Sequence, residues 1–216
     1  MNLELNNKKV LITGASKGIG LAIAKTFLQE NAKVILVSRG SQYLFDNEKI
    51  LQQEYEVGNV FAKKCDCTNI EELKQLKESV KNEWQGLDIV VVNVGDGRSV
   101  SDVLPDDELW QKTWSSNFES ALKTARTFLP MLEKSKGCFL FVSSIAGLEA
   151  FGAPTDYSTA KTAIIALAKN MARKLAPNVR VNVIAPGNVY FKGGSWDGKI
   201  QQDKKRVDEI IKSTVP

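Results

Sequence analysis

Six short apolar runs, each followed by a stretch of helical character, constrain the fold of this chain more than any other feature. The clearest is Leu87–Asn93 (LDIVVVN), an almost unbroken β-branched run, the composition of a strand rather than of a helix. Lys8–Thr13 (KKVLIT), Lys33–Ser38 (KVILVS), Val60–Cys65, Cys138–Ser143 (CFLFVS) and Val179–Ile184 (VRVNVI) read the same way. Runs without polar alternation fit strands covered on both faces. The segment after the first run places Ile19, Ala22, Ile23 and Phe27 at helical spacing. Helices are also expected over Tyr43–Tyr55, Ile70–Trp84 and Thr155–Lys174, with a short one over Arg206–Ser213. A long helical region from Asp106 to Lys134 is expected to kink or end near Pro130. Six alternations of strand and helix mean an α/β fold: a doubly wound, parallel, six-stranded sheet with helices on both faces. No linker, repeat or low-complexity stretch divides it, so one domain is expected over residues 1–216.

In such a sheet, ligands bind beyond the carboxyl ends of the strands. The first strand ends in Thr13-Gly14-Ala15-Ser16-Lys17-Gly18-Ile19-Gly20. Glycines there permit a tight turn and a close backbone approach, and the helix that follows aims its N-terminus at a phosphate. The spacing is Gly-x-x-x-Gly-x-Gly rather than Gly-x-Gly-x-x-Gly, but its place between first strand and first helix points to a nucleotide and to a Rossmann-type domain. The second strand ends in Ser38-Arg39. An acidic residue there would bond the ribose hydroxyls of NAD, whereas an arginine accommodates the 2′-phosphate of NADP. Arg39 is either a plain surface residue or, with Lys17 adding a second positive charge, a reader of NADP(H) in preference to NAD(H). The third strand runs into Cys65-Asp66-Cys67, where Asp66 could accept a bond from the adenine amino group. The plainer reading makes it a cap for Ile70–Trp84, although Thr68 or Asn69 suits that position better.

Tyr157 and Lys161 stand four residues apart, on one face of a helix. An ammonium held near a phenol lowers its pKa, and a phenol so tuned passes a proton at neutral pH. Alone, the pair reads equally as an amphipathic helix with a surface lysine. The chain has no histidine, which removes a Ser–His–Asp hydrolase triad and the commonest metal ligand together. Its three cysteines suggest structural thiols rather than a disulfide framework or a zinc site. The net charge of +4 comes from lysines interspersed with acids, which gives no stripe for nucleic acid. No apolar run is long enough to span a bilayer, and the N-terminal residues lack the apolar stretch of a signal peptide, so a cytoplasmic location is expected.

Thr13–Gly20, Asp66, Asn93-Val94-Gly95, Asn117, Ser144, Tyr157, Lys161 and Pro186-Gly187 stand in an order and spacing that resembles the short-chain dehydrogenase/reductase family. The likeness covers essentially the whole chain and is similar to 3-oxoacyl-carrier-protein reductases and related ketone or polyol dehydrogenases. It implies an NADP(H)-dependent oxidoreductase that moves a hydride between the nicotinamide and a carbonyl or alcohol. Tyr157 would be the general acid/base, Lys161 would lower its pKa and hold the nicotinamide ribose, Ser144 would orient the substrate oxygen, and Asn117 would support a proton-relaying water chain. Gly14, Ser16, Lys17, Gly18, Ile19, Gly20, Arg39, Asp66, Cys67, Asn93, Val94, Gly95, Pro186, Gly187 and Val189 would line the cofactor. The resemblance also implies a homodimer or homotetramer built on the helices around Asn117–Leu129 and Tyr157–Lys174.

Three departures qualify the likeness. Val94 stands where the family usually has alanine. Phe191 stands where the family often has a threonine that bonds the nicotinamide amide, in a glycine-rich stretch that reads either as a mobile substrate lid or as an ordinary surface loop. The chain stops at Pro216, where relatives continue into a further helix and a seventh strand. The expectation is therefore a C-terminally truncated member that keeps cofactor binding with low activity, a dimer rather than a tetramer, or a non-catalytic dinucleotide-binding module.

Overall fold

The computed structural model describes residues 3–40 and 42–214. The chain divides into two compact bodies, Met1–Ala185 and Pro186–Pro216. The first contains β1 (Lys9–Thr13), α1 (Gly18–Gln29), β2 (Lys33–Ser38), α2 (Gln42–Glu54), β3 (Val60–Lys64), α3 (Ile70–Trp84), β4 (Ile89–Val92), α4 (Asp107–Trp114), α5 (Ser120–Ser135), β5 (Cys138–Val142), α6 (Thr155–Leu175) and β6 (Arg180–Ile184). All six strands are parallel, in the order β3-β2-β1-β4-β5-β6. The winding reverses between β1 and β4, and the crevice beyond their carboxyl ends is where such a sheet takes a ligand.

Both faces of the sheet are packed. Leu11, Ile35, Val90 and Phe139 turn to one side and meet Leu73, Phe128 and Ile164 from α3, α5 and α6. Val10, Ile12, Val34, Leu36 and Val91 turn to the other and meet Ala24, Leu28, Leu44 and Leu51 from α1 and α2. A fully buried aliphatic side chain contributes about 1.5–3 kcal/mol, which is why these unbroken runs settle into central strands. Asn69 caps α3 by accepting from the Glu71 and Glu72 N–H groups at 3.0 and 3.4 Å, and the acidic first turn suits the helix dipole. The charges farther along form exposed ion pairs, Lys74–Glu71 and Lys81–Glu78, on a solvated face.

Two readings of the sequence are corrected. The long helix neither starts at Asp106 as one piece nor ends at Pro130. It is interrupted by a π-helical turn over Ser115–Glu119 and then runs through Pro130 to Ser135. Phe128 and Leu132, both fully buried on either side of the proline, hold the helix together across the missing N–H. The stretch after Pro186 is not loop up to Arg206: the second body contains α7 (Ser195–Gln202) before α8 (Lys204–Thr214). Asp197 ties the start of this body to α7, accepting from the Tyr190 hydroxyl at 3.0 Å and from the Gly193 N–H at 2.8 Å.

Candidate active site

The turn after β1 is fastened to the end of β4. The Asn93 side-chain amide donates to the Thr13 and Gly14 carbonyls at 3.1 and 3.2 Å, and the Thr13 hydroxyl accepts from the Asn93 N–H at 2.9 Å. Gly14 has φ +64°, a conformation that favours glycine. Gly20 is needed for a different reason: a Cβ there would run into the Gly14 carbonyl and lie 2.7 Å from the Asn93 amide nitrogen. Lys17 occupies the N-cap of α1 with extended backbone, and its side chain does not cap the helix. The first N–H groups of α1 therefore face the crevice as an anion-binding end. Ser16 lies against Ser38, whose hydroxyl donates to it at 3.1 Å, and Ile19 follows in the first turn of α1.

Across the crevice, the π-helical turn points Asn117 inward. Asn117 is fully buried, and its amide binds Asp96 at two points: the Asp96 N–H donates to Oδ1 at 3.1 Å, and Nδ2 donates to the Asp96 carbonyl at 3.0 Å. Gly95 is the floor between Asn117 and Lys161, since a Cβ on it would lie 2.8 Å from both Asn117 Oδ1 and Lys161 Nζ. Val94 turns its added bulk onto the hydrophobic core and donates its N–H to the Thr13 hydroxyl at 3.3 Å. The valine is thus accommodated by packing against the core.

Tyr157 and Lys161 occupy the first turns of α6, as their spacing requires. Lys161 is 4% exposed, and burial lowers its pKa to about 8. Its Nζ donates to the Val142 carbonyl at 3.1 Å and lies 5.7 Å from the centre of the Tyr157 ring. The lowered tyrosine pKa expected from the sequence is corrected here. Burial raises the Tyr157 pKa, a hydrogen bond with Ser144 pulls it back, and the Asp96 charge raises it further. Ser144 stands at the end of β5, caps the short 3-10 turn Ile145–Gly147 by accepting from the Ala146 N–H, and reaches Tyr157. Its neighbour Ser143 is buried, and its hydroxyl donates to the Lys161 carbonyl at 2.8 Å.

Arg39 and Asp66 meet at the ends of β2 and β3, with the guanidinium 4.0 Å from the carboxylate. Asp66 does not cap α3; it accepts from the N–H and the hydroxyl of Thr68 at 2.9 and 2.8 Å. The Cys67 side chain is turned into the core, so any part it plays toward a ligand falls to its backbone. All three cysteines are free. Pro186, Gly187 and Val189 belong to the second body, in the irregular stretch that precedes α7. Ser99 and Asp156 were not legible as site residues: the Ser99 hydroxyl donates to the buried Asp156 carboxyl at 2.5 Å across 57 positions of sequence. The one signal was Asp156's place immediately before Tyr157.

A family model described as short chain dehydrogenase matches residues 8–194. The chain belongs to the short-chain dehydrogenase family. It is 36% identical to "Uncharacterized oxidoreductase YvrD" of Bacillus subtilis over 98% of this chain and 81% of that protein. It is 32% identical to "Dehydrogenase/reductase SDR family member 4" of Rattus norvegicus over 98% and 75%. Among solved structures, it superposes with a TM-score of 0.88 on an NADPH-bound short chain oxidoreductase of Pseudomonas aeruginosa PAO1 that contains an atypical catalytic center, at 27% identity over 96% and 82% of the two chains. L-sorbose reductase of Gluconobacter frateurii, in complex with NADPH and L-sorbose, gives 0.85 at 29% identity over 97% and 84%.

The site residues of this short-chain dehydrogenase fit a nicotinamide dinucleotide. Gly14 and Gly20 pack too closely against Asn93 and the turn itself to carry side chains, which keeps the turn tight at the N-terminus of α1, where a pyrophosphate would approach. The buried Lys161 and Asn117 converge on Gly95, and the Lys161 ammonium lies 5.7 Å from the centre of the Tyr157 ring. No group of three side chains suited to a metal ion occurs among the described residues, and no helix among them is long and apolar enough to cross a membrane.

Proposed function

We propose that the protein is an NADP(H)-dependent oxidoreductase that reduces a carbonyl or oxidises the corresponding alcohol, with Tyr157 as general acid/base. The observation that carries this reading is the convergence of Lys161 and Asn117 on Gly95, with the Tyr157 ring 5.7 Å from Lys161 Nζ and against Gly97. When bound, the nicotinamide supplies or receives the hydride. The chain's residues do the rest. Gly14, Ser16, Gly18, Ile19 and Gly20 receive the pyrophosphate, and Lys17 and Arg39 favour the 2′-phosphate. Asp66 and the Cys67 backbone border the adenine. Asn93, Val94 and Gly95 border the nicotinamide half.

Tyr157 is held protonated by burial, the state a general acid needs when a carbonyl oxygen gains charge. Ser144 directs a hydrogen bond at the same oxygen. Lys161, buried and close to the ring, replaces the proton Tyr157 gives up, with Asn117 fixing the backbone beside it. The same reading takes residues 1–216 as one dinucleotide-binding domain of a cytoplasmic homodimer or homotetramer. It places the substrate among ketones, 3-oxoacyl thioesters and ketoses.

The test follows NADPH absorbance against 2,3-butanedione, acetoacetyl-CoA and L-sorbose. Wild type should oxidise NADPH with at least one of them. Tyr157→Phe should lose about 10³-fold or more in kcat while binding NADPH normally. Equal turnover in the variant would remove Tyr157 from its role. NADPH binding without turnover on any carbonyl would leave the non-catalytic dinucleotide-binding module.

A further inference from the structure

The loop that leaves β4 runs over residues 93–106 without helix or strand, yet beyond its bonds to the β1 turn it is held again at Asp96 and at Ser99. Near its start, Asn117 binds both the N–H and the carbonyl of Asp96. Three residues on, Ser99 donates to Asp156 Oδ2 at 2.5 Å. Asp156 is 1% exposed and stands in the first turn of α6, where its Oδ1 accepts the Tyr157 N–H at 2.8 Å. Between these fastenings Gly97 covers the tyrosine ring: a Cβ there would sit 3.6 Å from Cε2 and Cζ of Tyr157. A buried carboxyl group is tolerated only where hydrogen bonds replace its water. Here those bonds go to the backbone of the tyrosine itself and to the segment lying on its ring.

We propose that Ser99 and Asp156 form a latch that fixes the Gly95–Ser99 segment against the face of Tyr157, making both of them positioning residues for the proton transfer. The proposal rests on the oxidoreductase reading above. Asn117 alone anchors one end of the segment. A loop pinned at one end leaves Gly97 free to swing away from the ring, and the substrate oxygen then loses the wall that sets its distance to the phenol. Misplacement on the order of 1 Å at a reacting centre lowers rates by about 100-fold. The latch is also selective: with Gly97 against the ring, the space beside the phenol is shaped by backbone rather than by a side chain.

The experiment compares Ser99→Ala, Ser99→Thr, Asp156→Asn and the Ser99→Ala/Asp156→Asn double variant. Three quantities are read: amide hydrogen exchange over residues 96–102, NADPH affinity, and kcat and KM with NADPH and whichever of 2,3-butanedione, acetoacetyl-CoA or L-sorbose wild type turns over fastest. Ser99→Ala and Asp156→Asn should each speed exchange in the segment and lower kcat by about 30-fold, with NADPH affinity unchanged. The double variant should be no worse than either single one, because both changes open the same latch. Ser99→Thr, which keeps the hydroxyl, should restore kcat to within about threefold of wild type. The proposal is overturned if Ser99→Ala exchanges like wild type, if it exchanges faster with kcat unchanged, or if the two single effects multiply. Ser99→Ala deletes one hydroxyl from a half-buried residue, so it decides the matter even if Asp156→Asn fails to fold. A wild type that oxidises no NADPH with any of the three carbonyls defeats the oxidoreductase reading instead, and the exchange measurement alone then decides whether the latch exists.

Discussion

Lys161 carries a buried charge, and that has a measurable consequence for stability. Burial lowers its pKa from the ordinary 10.5 to about 8, and the side chain is 4% exposed, so solvent screening discounts little of the effect. The unfolded chain therefore holds this proton more tightly than the folded one. Stability attributable to Lys161 is lowest below about pH 8 and rises as pH climbs from there toward 10.5. The gap of about 2.5 pH units corresponds to about 3 kcal/mol of destabilisation at neutral pH, of which about 1 kcal/mol is recovered between pH 7 and pH 9. Lys161→Met removes the titration while keeping an unbranched chain of similar length. Urea unfolding of both proteins at pH 7 and pH 9 checks the arithmetic, since every other titrating group cancels in the comparison. Wild type should gain about 1 kcal/mol on the variant over that interval. A difference between the two proteins that stays constant with pH would refute the burial argument. A wild type that loses ground as pH rises would mean that Lys161 is stabilised as a cation in the folded state.

Two further outcomes follow from the crevice. Gly20→Ala should weaken NADPH binding by about tenfold or more and lower stability by about 1–3 kcal/mol, because the new Cβ meets the Gly14 backbone, which cannot rotate away; calorimetric titration and thermal unfolding check it, and wild-type affinity would contradict the cradle. Arg39→Asp should reverse the preference between NADPH and NADH by about tenfold or more, as a charge-assisted contact to the 2′-phosphate is replaced by repulsion; the ratio of the two dissociation constants decides it.

The strands were legible because Val34–Val37 and Val90–Val92 are buried on both faces and carry no competing signal. Tyr157 and Lys161 were legible because helical spacing brings them together without help from the rest of the chain. The interruption of the long helix was not. Asn117 within it bonds Asp96, twenty-one positions earlier, and such a long-range contact leaves no local propensity to read. Pro130 misled for the complementary reason: its local preference was outweighed by burial of Phe128 and Leu132. Helix α7 hid behind Gly193, Gly194 and Gly198, which read as loop; the bonds that organise its start, from the Tyr190 hydroxyl and the Gly193 N–H to Asp197, are local but leave no apolar periodicity to read. The direction of the Tyr157 shift was misread because sequence gives the distance between two residues along a helix but not the burial that raises the phenol's pKa.

The central claim is that this chain moves a hydride to a carbonyl while Tyr157 delivers the proton. NADPH deuterated at C4, in separate R and S forms, incubated with the protein and its best carbonyl substrate, tests this most directly by mass spectrometry of the alcohol. One of the two forms should place a single deuterium on the carbinol carbon, and Tyr157→Phe at the same NADPH occupancy should yield essentially none. An alcohol without label from either form, or equal labelled product from the variant, would contradict the claim.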